Sequence, residues 1–101
     1  MNDISLTVRI PDKLNDQLTL LSKGLGITKV SLLRFTIWSH SDNPKPLSFD
    51  TSATNSFRFV LSLNAATYKI LEDASKQYSQ PVNSVVVALA NIAVKSYSKY
   101  L

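Results

Sequence analysis

The sequence predicts a mainly α domain carried on a two-stranded antiparallel ribbon. The expected order is β-α-α-linker-β-α-α, with the two halves closing on each other as a pseudo-dimer within one chain. Three observations predict it. Residues 5–10 and 57–63 alternate apolar with polar side chains for most of their length, the period of a strand with one dry face. Each stretch runs into apolar residues at helical spacing, then a turn, then a second and more apolar helical stretch. The chain also superposes on itself without gaps at a shift of 53 residues, which carries Leu18, Ser22, Lys23 and Ser31 onto Leu71, Ser75, Lys76 and Ser84.

In the first half (residues 1–40), Leu6, Val8 and Ile10 alternate with Ser5, Thr7 and Arg9. Pro11 and Asp12 then open a helix, with the proline in its first turn and the acid at the positive end of its dipole. Leu14, Leu18, Leu21 and Leu25 form one stripe on it. Gly24 and Gly26 end it, and Thr28 caps the next helix. That helix is expected to reach about Ser39. Val30, Leu33 and Ile37 lie on one side of it and Leu32, Phe35 and Trp38 on others, so it should be the more buried of the two. Trp38 belongs to the core or to a helix-end contact, and His40 to the solvated helix end.

Residues 41–55 are rich in Ser, Thr, Asn and Asp, carry Pro44 and Pro46, and are expected to be a linker. In the second half (residues 56–101), Phe57, Phe59, Leu61 and Leu63 face the core while Arg58, Val60 and Ser62 face out. Asn64 caps a helix bearing Leu71, Ala74 and Tyr78, with Thr67 in the place of Leu14. Ser79-Gln80-Pro81 replaces the glycine turn, and Pro81 suits a first helical turn. The last helix, about residues 82–97, is apolar nearly all round and should sit centrally, with Tyr97 and Tyr100 on or near it. A lone strand leaves its edges unpaired and two short helices enclose no core, so each half needs the other. The linker, reaching up to roughly 50 Å, is long enough to allow it.

The 101 residues, 45% of them hydrophobic, suffice for one domain. The absence of cysteine excludes disulfides, zinc–thiolate sites, iron–sulfur clusters and a thiol nucleophile. One histidine leaves no multi-histidine metal site. Among the seven carboxylates the one close pair is Glu72 with Asp73, and helix neighbours do not face each other. The expectation is therefore a protein that is not an enzyme, with no metal and no cofactor. A net charge of +4 fits an anionic partner. Met1-Asn2-Asp3 does not open a signal peptide, and the apolar run from Val85 to Ala90 is far shorter than a bilayer span. The expected setting is the cytoplasm, away from membranes.

Leu6-Thr7-Val8-Arg9-Ile10-Pro11, the stripe Leu14, Leu18 and Leu21, and Gly26-Ile27-Thr28-Lys29-Val30-Ser31 together resemble the ribbon-helix-helix (Arc/MetJ/CopG-like) family of DNA-binding proteins. The second half carries the pattern less fully. Two copies in one chain are similar to the tandem arrangement of TraY-type and VirC2-type conjugation proteins. The resemblance implies a ribbon inserted into the major groove, a groove that fits it and displays a distinct pattern for each base pair. It implies Ser5, Thr7, Arg9, Arg58, Val60 and Ser62 as base readers. The arginines would donate paired hydrogen bonds to guanine, and Thr7 and Val60 would meet thymine methyls. It further implies phosphate binding at the N-terminus of the second helix in each half. Those residues are Thr28, Lys29 and Val30 in the first half and Asn83 and Ser84 in the second, where Pro81 lacks a donor and no cation stands at the turn.

The expected function is sequence-specific binding of double-stranded DNA without catalysis. Two roles are open: a plasmid or mobile-element transcriptional repressor, and a relaxosome accessory protein at a transfer origin. Candidate partners beyond DNA are further copies of the chain on adjacent sites and a relaxase or toxin protein. Because the reading positions of the two strands differ, one chain should read a non-palindromic site. The alternative is an antitoxin-like or adaptor module that binds protein and has lost base reading. Val60 on the reading face and the weaker second phosphate site motivate it.

Overall fold

The computed structural model describes residues 3–49 and 55–100. Its elements are β1 (Ile4–Pro11), α1 (Asp12–Leu25), α2 (Lys29–Asp42), β2 (Ser56–Leu63), α3 (Ala65–Tyr78) and α4 (Val82–Tyr97), followed by a 3-10 turn over Ser98–Tyr100. The order is β-α-α-β-α-α, compatible with a tandem ribbon-helix-helix arrangement, and helices hold 66% of the described residues, so the bulk of the core is helical.

β1 and β2 pair antiparallel from Ile4 opposite Leu63 to Pro11 opposite Ser56. On the inner face Val8, Ile10, Leu61 and Leu63 are fully buried. Thr7 pairs with Val60, and these are also two residues that the 53-residue shift superposes. The halves are therefore related by a pseudo-two-fold axis through that pair. The helices obey the same shift: α1 begins at Asp12 and α3 at Ala65, α2 at Lys29 and α4 at Val82.

The turns repeat as well. Gly26 (φ 75°) closes α1 with its N–H turned to the carbonyls of Ser22 and Lys23. Ser79 (φ 54°) does the same for α3 with Ser75 and Lys76. Left-handed backbone at these positions exposes the last carbonyls of each helix to a donor. Thr28 caps α2 by accepting from the Ser31 N–H, and Asn64 caps α3 by accepting from that of Thr67. α4 is the central helix, burying Val85, Val86, Ala88, Leu89, Ala90 and Ala93. The buried hydroxyls of Ser22, Thr36 and Thr67 all have partners, in the Thr19 and Leu32 carbonyls and the Asn64 side chain. A buried polar group without one would cost roughly 1–3 kcal/mol.

Several sequence expectations need correction. The expected β-α-α-linker-β-α-α order, with a plain linker between the halves, does not describe the chain. Residues 41 and 42 continue α2, which stops only where the Asn43 N–H closes on Ser39 and Pro44 bars a further turn. Leu47 is then buried in the core, and the Phe49 ring packs 5.4 Å from that of Tyr78. This stretch is a strap; residues 50–54 of the expected linker lie outside the described residues. Pro11 and Pro81 are not in first turns. Both have extended backbone (ψ 140° and 150°) and precede the first helical residue. Gly24 lies inside α1, and Gly26 alone caps it. Finally, α2 is not the more buried helix, since Phe35 and Trp38 are 58% and 48% exposed. Its neighbours cover one side only.

Candidate nucleic-acid interface

The outer face of the ribbon carries the six residues expected to read bases. They form three cross-strand pairs: Ser5 with Ser62, Thr7 with Val60, and Arg9 with Arg58. Five are exposed and Ser62 is half-buried. Val60, 56% exposed, is an apolar side chain at the centre of this face.

The spacing of these pairs follows from where the edge hydrogen bonds go. Asn83 Oδ1 accepts from the Arg9 N–H (2.7 Å), and its Nδ2 donates to the Arg9 carbonyl (2.8 Å). The Arg9 main chain thus turns away from β2, so Arg9 and Arg58 are a non-hydrogen-bonded pair, the kind that brings side chains closest. By alternation the other two outward pairs are of the same kind. Among the described residues neither arginine has a carboxylate partner; the ion pair found there joins Lys69 to Asp73.

The other edge is held differently. Arg34, from α2, donates to the Ser62 carbonyl through Nε (2.9 Å) and a terminal nitrogen (2.6 Å). Asn83 and Arg34 therefore cover edge groups of β1 and β2 that would otherwise be open to another strand. Sequence reasoning missed both roles. The signal for Arg34 was present: it is a cation set among Leu32, Leu33, Phe35 and Ile37, and the shift places Val87 at its equivalent.

The expected phosphate-binding residues are placed unequally. At α2, Thr28 and Ser31 are tied together by the cap, which leaves the N–H groups of Lys29 and Val30 without a helical or capping partner. The Lys29 ammonium is already engaged: it donates to Asn15 Oδ1 (2.7 Å) and lies 4.7 Å and 5.3 Å from the ring centres of Phe57 and Phe59. Val30 packs against the core. At α4 no side chain caps the helix, so the N–H groups of Val82, Asn83 and Ser84 all remain available. The missing donor of Pro81 is thus no handicap, because Pro81 lies before the helix. The Asn83 side chain, however, belongs to Arg9.

Away from the ribbon, the Phe35 and Tyr97 rings lie 5.9 Å apart, and the Trp38 indole donates to Thr67 Oγ1 (3.0 Å). Tyr100, 66% exposed, is not packed as expected. His40 is half-buried rather than solvated, and burial lowers its pKa from 6.5. Among the described residues no cluster of His, Asp and Glu stands ready to hold a metal ion, and no helix is long and apolar enough to cross a membrane. No protein-family model, curated protein or solved structure matches this chain.

Proposed function

We propose that the protein binds double-stranded DNA sequence-specifically by laying the outer face of its ribbon in the major groove, and that it does so in the cytoplasm without catalysis. The observation that carries this reading is the Arg9–Arg58 pair, without a carboxylate partner among the described residues, on a solvent-facing ribbon whose inner face is buried. Like charges directly opposite on a sheet are unfavourable for folding. Guanine acceptors and phosphates relieve that repulsion. The resemblance to ribbon-helix-helix proteins agrees with it. The free N–H groups at α2 and α4 suit the backbone phosphates that flank an occupied groove. On this reading the chain serves as a plasmid or mobile-element repressor or as a relaxosome accessory protein. Further copies on adjacent sites, and a relaxase, would then be its partners.

Selection of duplexes from a random library, followed by titration at several salt concentrations, tests the proposal. A preferred sequence is expected, bound more tightly than random duplex at every salt concentration. Binding that is uniform across sequences and vanishes with salt refutes it. Arg9→Ala should relax preference at one site position, because it removes a base contact. Lys29→Ala should weaken all sequences alike and only mildly, since its ammonium already has Asn15 and two rings.

A second reading has its own observation. Phe35 and Trp38 leave aromatic surface on the outer side of α2, and Tyr100 adds a third exposed ring. An antitoxin-like or adaptor role would use that surface to bind protein. Phe35→Ala with Trp38→Ala would then abolish partner binding and leave DNA binding intact.

A further inference from the structure

The two ends of the ribbon are chemically opposite. The counterpart of Ser5 in the second half is Arg58, and the counterpart of Arg9 is Ser62. An antiparallel register centred on Thr7 and Val60 therefore places both arginines at one end and both serines at the other. A pair of identical strands would put one arginine at each end. At the arginine end stands the uncapped start of α4, joined to Arg9 through Asn83. At the serine end the Ser62 hydroxyl lies 3.5 Å from the Asp3 carboxylate. The cation found there, Arg34, is committed to the Ser62 carbonyl.

We infer that the protein takes an asymmetric duplex in one orientation, with its arginine end over guanines confined to one side of the centre of the site. This rests on the DNA-binding reading above. Arg9 and Arg58 stand two residues from the central pair, about 7 Å along the strand, or about two base-pair steps. The centre, Val60 opposite Thr7, suits thymine methyls. The serine end offers hydroxyls and a carboxylate, which accept hydrogen bonds from cytosine and adenine amino groups and repel phosphate.

The test uses the full chain on a duplex selected from a random library, probed by guanine N7-methylation interference. Interference is expected on one side of the centre only. Arg9→Ala and Arg58→Ala should each erase part of it and weaken binding roughly 5- to 150-fold. Both variants should melt at or above the wild-type temperature, because each removes a like-charge neighbour. Ser5→Ala should alter base preference at the opposite end of the site and leave the guanine interference where it was. A selected palindrome, or equal interference on both sides of the centre, overturns the polarity while DNA binding stands. If no sequence is selected at all, the DNA-binding reading fails instead.

Discussion

Replacing Asn83 with alanine should loosen the ribbon at Arg9. Asn83 makes two hydrogen bonds to that one residue, at 2.7 and 2.8 Å, and ties the start of α4 to the edge of β1. A net hydrogen bond is worth about 0.5–1.5 kcal/mol. The site is exposed, so water replaces the lost partner, and the pair should contribute about 1–1.5 kcal/mol. For a domain of this size each kcal/mol moves the melting temperature by about 4–8 °C. Asn83→Ala should therefore melt about 4–12 °C lower, with an unchanged denaturant slope because the core stays intact. Amide exchange gives the sharper assay. The Arg9 N–H faces away from β2, so Asn83 is what protects it, and its exchange should accelerate in the variant. A protected Arg9 amide in Asn83→Ala would refute the reasoning, because something else would then be holding that edge.

Three other outcomes are expected. Leu47→Ala should lower stability by about 2 kcal/mol in urea titration, at the low end for a buried leucine because the strap is free to settle; a loss below about 0.5 kcal/mol would mean that the strap is not docked in solution. Ser79→Gly should raise stability by about 0.5–1 kcal/mol, since glycine adopts the positive φ without the Cβ penalty, and an unchanged midpoint would count against strain at that turn. The lowered pKa of His40 means that the unfolded chain binds more protons than the folded one below pH 6.5. Its contribution to stability should decline as pH falls through that value, and His40→Gln should flatten the decline between pH 7.5 and 5.5 in thermal melts.

Much of the fold was legible in local patterns. Alternation placed both strands because every second residue of a ribbon meets the core. The leucine stripe of α1 and the caps Thr28 and Asn64 followed from helical period and hydrogen-bond need. The proline positions were misjudged by one residue because extended backbone before a helix and the first turn itself both accept proline. The strap escaped notice because a polar composition hid one buried leucine and one aromatic ring. The roles of Asn83 and Arg34 escaped for a different reason: a side chain that holds the backbone of a residue 74 or 28 positions away leaves no periodic trace.

The sequence by itself determined the two strands, the helical segments and the equivalence of the two halves, since all three rest on spacing along the chain. Only the tertiary structure decided how equivalent halves become unequal. The register set Arg9 against Arg58 and gave the ribbon two different ends. The strap lies along α4, with Pro46 and Ser48 beside Ala88 and Asn91, whereas the matching positions on α2, Phe35 and Trp38, remain exposed. One connecting segment covers one of two related surfaces. That choice is made by packing across the whole molecule, which no local pattern records.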